Sequence, residues 1–318
     1  MFNLVQQRRY YFIFSGIVLL IGIGAMIYST VTFGSPVRLS IDFRGGSLFI
    51  VTFEEPATEP EIRDVYTQFG QEGEIIQQLG DPADNRWQIR AGDLSLAEQT
   101  ALIAALEEQI APIDRGQSTF DIVDPSVGQE VTTAAIYAVL AAAAIVLGFI
   151  WFAFRRVPNA SRYGACAILA MVHDVTITMG VMAFLGIFFG WEVDALFLTA
   201  VLTVVGFSVQ DSIVVFDRIR ENIPKYRGEP YETVVNRSIL ETIHRSLATQ
   251  LNAVFIMISI LLFGGDTVRQ FITILLVGLL CGTYSSIFTA VPLLVAWEKG
   301  ELPWARKPEA TRQSPAAA

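Results

Sequence analysis

Residues 193–216 read VDALFLTAVLTVVGFSVQDSIVVF, an apolar run that could cross a bilayer yet carries a carboxylate, Asp211, in one half. A hydrocarbon core about 30 Å thick is spanned by roughly 20 apolar residues in an α-helix. Other stretches meet that length or come close: Tyr11 to Thr30, Val131 to Phe154, Tyr163 to Phe189, Leu247 to Phe263 (the shortest) and Phe271 to Trp297. Hydrophobic residues make up 53% of the chain and charged residues 17%, with a mean hydropathy of +0.48. An ordinary soluble domain carries about 25% charge. The expected fold class is an α-helical polytopic membrane protein with six transmembrane helices. Arg8 and Arg9 before an apolar run resemble a signal peptide, but the run is longer than a usual h-region and no A-x-A pattern follows. It reads as an uncleaved first helix.

Lys and Arg in short loops orient such a bundle. They gather in the N-terminal tail (Arg8, Arg9), the second-to-third connection (Arg155, Arg156, Arg162), the fourth-to-fifth connection (Arg218, Arg220, Lys225, Arg227, Arg237, Arg245) and the final tail (Lys299, Arg306, Lys307, Arg312). The turns Gly190 to Glu192 and Gly264 to Gln270 hold only Arg269 between them. Both termini are therefore expected in the cytoplasm. The layout becomes an N-terminus and first helix at 1–31, an extracytoplasmic domain at 32–130, five helices at 131–297 with a cytoplasmic loop at 217–246, and a cytoplasmic tail at 298–318. The segment 31–130 holds six Arg and no Lys against eighteen acidic residues, and it accounts for the net charge of −9. Its acidity reads as a solvated surface.

A segment of about 95 residues is long enough for a small core. Strand-like runs fall at Arg38 to Phe43, Leu48 to Phe53, Glu74 to Gln78, Trp87 to Arg90 and Thr119 to Val123. Helix-like runs fall at Glu59 to Phe69 and Leu94 to Ile110, opened by capping boxes Thr58/Glu61 and Ser95/Glu98. This order contains a split βαβ plan, so a small α+β, ferredoxin-like extracytoplasmic domain is expected. Gly45 and Gly46 mark a tight turn, and Pro125 and Gly128 mark the exit toward the second span.

Charges at bilayer depth cost about 2.5–3.5 kcal/mol each on insertion scales, which makes them functional candidates. Asp174, beside His173, lies near the middle of the third span. Asp211 lies between Gln210 and Ser212 in the fourth, about 9 Å deeper than Asp217 at 1.5 Å per residue. Val204, Ser208, Asp211 and Ser212 share a helical face, Asp174 and Thr178 share another, and Arg245, Thr249, Asn252, Ile256 and Ser259 share a third. Lipid does not reward such stripes, so they are expected to face one another or water. Arg245 enters the fifth helix near the depth of Asp211. It reads equally well as that aspartate's partner or as a snorkelling arginine. In the sixth span Gly278 and Gly282 form G-x-x-x-G, extended by Ser286 and Thr289, a signal for close helix packing.

With two His in the chain and scattered Cys, a metal site has little support. Cys166 and Cys281 fall inside spans, so no disulfide framework serves the outer domain. No phosphate-binding G-x-x-x-x-G-K-[ST], Ser-His-Asp set or H-E-x-x-H appears, so neither an enzyme nor a nucleotide-driven or nucleic-acid-binding protein is indicated. No cofactor is expected. An aspartate that loads and releases a proton would couple the chain to an ion gradient.

Four strings carry a resemblance: VGFSVQDSIVVFDRIREN (Val205 to Asn222), HDVTITMG (His173 to Gly180), IDFRGGS (Ile41 to Ser47) and HRSLATQLNAV (His244 to Val254). With the six-span layout, nearly the whole chain resembles the SecF members of the SecD/SecF family, RND-type membrane proteins of the Sec export machinery. The resemblance implies a pseudo-symmetric unit with SecD, association with the SecYEG channel and YajC, and proton-driven help to unfolded polypeptides being exported across the bacterial plasma membrane. Asp211 matches the family's proton-carrying aspartate and Arg245 its essential arginine. His173 and Asp174 match an HD pair without an assigned role, so all four are placed on the proton pathway. Gln210, Ser212, Ser208, Thr249 and Asn252 form the supporting polar stripe. Gln210 stands where many members carry Asn or a similar residue. The competing readings are a half-size RND-type transporter of a small molecule or lipid and a scaffold for the outer domain.

Overall fold

The structure, a computed structural model, describes residues 3–71, 75–155 and 159–302. The expectations that rest on Glu74, Arg156 and the tail from 303 onward, with Arg306, Lys307 and Arg312, lie outside those residues. Leu39–Tyr137 forms one compact unit, and the segments on either side of it form the other.

Helix α1, Arg8–Phe33, ends where Gly34 turns into the left-handed region at φ 77°. The segment Arg38 to Phe43, expected as a strand, is not one. Ser40 accepts from the Asp42 backbone N–H and starts a short helix, α2, Ile41–Arg44. Gly45 then leaves it at φ 75°, a conformation that suits a residue without a Cβ. The Leu39–Tyr137 unit continues as β1 (Gly46–Thr52), α3 (Glu59–Gln68), β2 (Ile75–Gln78), β3 (Arg86–Ala91), α4 (Leu96–Gln109) and β4 (Thr119–Val123). Its sheet runs β2-β3-β1-β4 with every neighbouring pair antiparallel. Alternation on β1 and β3 turns Phe49, Val51, Trp87 and Ile89 toward Ile62, Val65 and Tyr66 of α3 and Leu102 and Leu106 of α4.

Both capping boxes form. Glu61 accepts from the Thr58 backbone at 2.9 Å, and Glu98 accepts from the Ser95 backbone at 2.8 Å. The Ser95 hydroxyl accepts in turn from the Glu98 N–H at 3.3 Å. The cap hydroxyls and N–H groups hold both carboxyls below the ordinary Glu range. A lowered folded value means that this help is fully present above the unfolded value and is lost as pH falls through the folded one. Ser95→Ala is expected to cost about 1 kcal/mol, read as faster amide exchange along α4; unchanged exchange there would contradict the cap's role.

Helix α5, Pro125–Phe154, starts earlier than expected, because Asp124 caps Ser126 and Pro125 suits a first turn. Pro125 and Gly128 thus lie inside the helix. Gly128 has no room for a side chain: a Cβ would sit 2.8 Å from the Gly45 nitrogen and 3.0 Å from the Phe43 carbonyl carbon.

The remaining helices are α6 (Ala160–Phe189), α7 (Ala195–Lys225), α8 (Tyr231–Phe263), α9 (Asp266–Ser285) and α10 (Val291–Glu298). A π-helical turn, Ser286–Ala290, joins the last two just before Pro292. Six helical segments among the described residues are long and apolar enough to cross a membrane. The fifth, shortest in sequence, runs for 33 residues. Segment 217–246, expected as a loop, is mostly helical: α7 and α8 extend past their apolar stretches, laced by Arg218–Glu241 at 2.6 Å and Arg220–Asp217 at 2.7 Å. At one end of the bundle Arg8 pairs with Glu232 (2.8 Å) and Glu301 (2.6 Å), and Lys299 also pairs with Glu232. Arg162 meets Glu298 at 2.7 Å there. Arg8 holds the Glu301 carboxyl below its usual range. At the other end Val193 donates to the Arg38 carbonyl and Gln270 to the Glu192 carbonyl. Four basic segments therefore share one end, as expected of alternating crossings.

Candidate proton site

The site begins with two glycines. A Cβ at Gly278 would lie 2.9 Å from the Val204 Cβ, and one at Gly282 would lie 3.2 Å from the Ser208 Cα. The G-x-x-x-G therefore lets α9 close onto α7. One turn on, Ser285 reaches α6, where Asp174 is fully buried. Asp174 Oδ2 accepts from Ser208 at 2.5 Å and from Ser285 at 2.6 Å, and Oδ1 lies 2.9 Å from His173 Nδ1. Thr178 returns its hydroxyl to the Asp174 carbonyl, and Ser212 returns its own to the Ser208 carbonyl. One carboxylate thus ties three helices together.

Asp211, 5% exposed, looks toward α8. Of the two readings of Arg245, partner of Asp211 or snorkelling arginine, the structure does not show the pairing: Gln250 occupies the place, donating from Nε2 to Asp211 Oδ2 at 2.6 Å. Arg245 lies more than a turn earlier, exposed, and forms no ion pair among the described residues. With Asp217, Arg218, Glu221, Glu241 and Thr242 it lines a polar cleft of about 460 Å³. The reason is angular. The buried row of α8 is Thr242, Ser246 and Gln250, whereas Arg245, Thr249, Asn252, Ile256 and Ser259 lie on its exposed side.

The expected meeting of three polar stripes is therefore only partial. His173, Asp174, Ser208, Asp211 and Ser212 are buried in the bundle, but Gln210, Thr249 and Asn252 are exposed. Thr249 satisfies its own hydroxyl on the Arg245 carbonyl. Sequence periodicity does not single out two residues that hydrogen-bond these carboxylates, Gln250 and Ser285. The signal for Gln250 was a second polar row, four residues apart, beside the one chosen. Ser285 sits one position off the small-residue stripe. No group of three or more His, Cys, Asp and Glu that could hold a metal occurs among the described residues. The arrangement offers two buried carboxylates with different partners, one tied to hydroxyls and an imidazole, the other to a single amide.

The comparisons agree on kinship. A family model described as "Protein export membrane protein SecD/SecF, C-terminal" matches residues 103–300, and one described as "SecD/SecF GG Motif" matches residues 30–57. The chain is 43% identical over 304 residues to a protein translocase subunit SecF of Anaerolinea thermophila, covering 95% of this chain and 96% of that one. It is 41% identical to one from Thermobaculum terrenum, covering 94% of each. It superposes with a TM-score of 0.78 and 30% identity on the crystal structure of SecDF, a translocon-associated membrane protein, from Thermus thermophilus. That match covers 94% of this chain but only 39% of the SecDF chain. Six apolar helices, the Gly45–Gly46 pair leading from α2 into β1 and these matches lead to one conclusion: the chain belongs to the SecD/SecF family of protein export membrane proteins.

Proposed function

We propose that the chain works with a SecD partner in the bacterial plasma membrane, with both termini in the cytoplasm, and uses the proton gradient to promote export of unfolded polypeptides. The pair serves the SecYEG channel, with YajC as a further associate, and needs no cofactor because the gradient supplies the energy. Asp211 carries the proton. Arg245, which forms no ion pair among the described residues, is the cation whose approach would favour proton release, and His173 and Asp174 complete the pathway. The outer domain is of ferredoxin-like type, a reading supported by its β2-β3-β1-β4 order with two helices on one face.

The observation that carries this reading is the set of polar side chains left exposed on two helices of membrane-span length. Gln210, Arg245, Thr249 and Asn252 lie open on α7 and α8, helices with the length and hydropathy of membrane spans. Lipid penalises such a face, and a second helical subunit would cover it. The SecDF chain, of which this one spans 39%, leaves room for such a subunit. A photoreactive residue at Asn252 in intact membranes is expected to give a covalent adduct with SecD. Adducts with lipid alone would refute the interface.

A further inference from the structure

The buried face that α8 turns to α7 carries a polar row, Thr242, Ser246 and Gln250, spaced four residues apart. At 1.5 Å per residue its ends lie about 12 Å apart along the helix. One end is the polar cleft of about 460 Å³, which Thr242 lines. The other end is Asp211, which accepts from Gln250 at 2.6 Å. The facing wall of the cleft reaches as far: Val214 lines it and stands three residues, less than one turn, beyond Asp211. Liquid water occupies about 30 Å³ per molecule, so the cleft has room for several. Between the two ends, Ser246 differs from its neighbours. Ser238, Thr242, Thr249 and Ser259 each return the hydroxyl to the carbonyl four residues back. Ser246 is 4% exposed, and its side chain makes no hydrogen bond among the described residues. A buried hydroxyl without a partner is costly, and the cleft begins one turn away at Thr242.

We infer that Ser246 is a positioning residue for Asp211: its hydroxyl holds water between the cleft and the Gln250–Asp211 pair, so that the carboxyl is reached along α8 from the basic end of the bundle. The route stands on this geometry and rests on the proposed function only for what travels along it. A hydroxyl both accepts and donates, so Ser246 takes a hydrogen bond from one water and passes one on toward Asp211, which an alanine cannot do. The mouth carries Asp217, Glu221 and Glu241 against Arg218 and Arg245, three carboxylates to two guanidiniums. That balance favours cations over anions at the opening. The exposed row of Arg245, Thr249 and Asn252 lies on another side of α8 and takes no part in the route.

Thiol labelling of the full chain with its SecD partner, in sealed vesicles of both orientations, is the test. Cys166→Ala and Cys281→Ala first remove the native thiols, both free. Three single cysteines are then compared with a small, charged, membrane-impermeant methanethiosulfonate: Ser246→Cys, close in size to the native residue; Leu251→Cys, on the exposed apolar side of α8; and Arg220→Cys, exposed at the basic end. Only a wetted thiol ionises readily to the reactive thiolate, so Ser246→Cys should react about tenfold or more faster than Leu251→Cys. It should do so from the same face of the membrane as Arg220→Cys. Equal rates for Ser246→Cys and Leu251→Cys, or labelling of Ser246→Cys from the face opposite Arg220→Cys, would overturn the inference. If Ser246→Cys does not accumulate, Val214→Cys on the facing wall takes its place with the same two outcomes. The Arg220→Cys marker makes the result independent of which side is the cytoplasm. No proton is read in this experiment, so a failure of the gradient reading remains distinguishable.

Discussion

Asp211→Asn is expected to reduce gradient-dependent export to that of cells without the subunit, while the protein accumulates normally. Asn keeps the size of the side chain and an oxygen that accepts from Gln250 Nε2, the 2.6 Å contact that packs α7 against α8. What it lacks is a group that takes and gives up a proton. A purely structural aspartate would tolerate this change, because a neutral acceptor satisfies the same donor. Secretion assayed together with protein level separates the two cases. Normal export in both Asp211→Asn and Arg245→Ala would leave a scaffold for the outer domain as the better reading.

The second large effect belongs to packing. Gly278→Ala is expected to destabilise the bundle by about 1–3 kcal/mol, the usual cost of overfilling a packed core. The new methyl would meet Val204 at both Cβ and Cγ1, 2.9 and 2.8 Å away, and turning the valine side chain does not move its Cβ. Val204 is fully buried, so the helices themselves would have to part. Separation of α7 from α9 also carries Ser285 away from Asp174, so loss of export should accompany the loss of stability. Adding Val204→Ala should restore a substantial part of both. Thermal unfolding in lipid nanodiscs of the single and double variants measures this coupling. Additive effects would show that the two residues do not meet.

The spans were legible because hydropathy over a long window depends on composition and not on neighbours. The capping boxes were legible because they are local: Ser95 and Glu98 satisfy each other whatever else the chain does. Arg38 to Phe43 misled because an alternating pattern there competes with a Ser40 cap and a Gly45 exit that make a turn of helix. The polar stripes were read correctly as faces but not as neighbours. Helical periodicity tells which residues of α8 share a side; it does not tell whether that side meets α7 or lies open. Thr242, Ser246 and Gln250 were as regular as Arg245, Thr249 and Asn252, and only the packing of α7 on α8 chooses between them. Asp174 was visible as a costly buried charge. Its two serine partners, on helices far apart in sequence, were not.

The most direct test of the central claim is proton movement itself. The chain and its SecD partner, reconstituted in sealed vesicles with an imposed pH gradient and a stalled export substrate, should dissipate that gradient faster than the same pair carrying Asp211→Asn. A variant that conducts protons as fast as the wild type would contradict the assignment of Asp211 as the proton carrier.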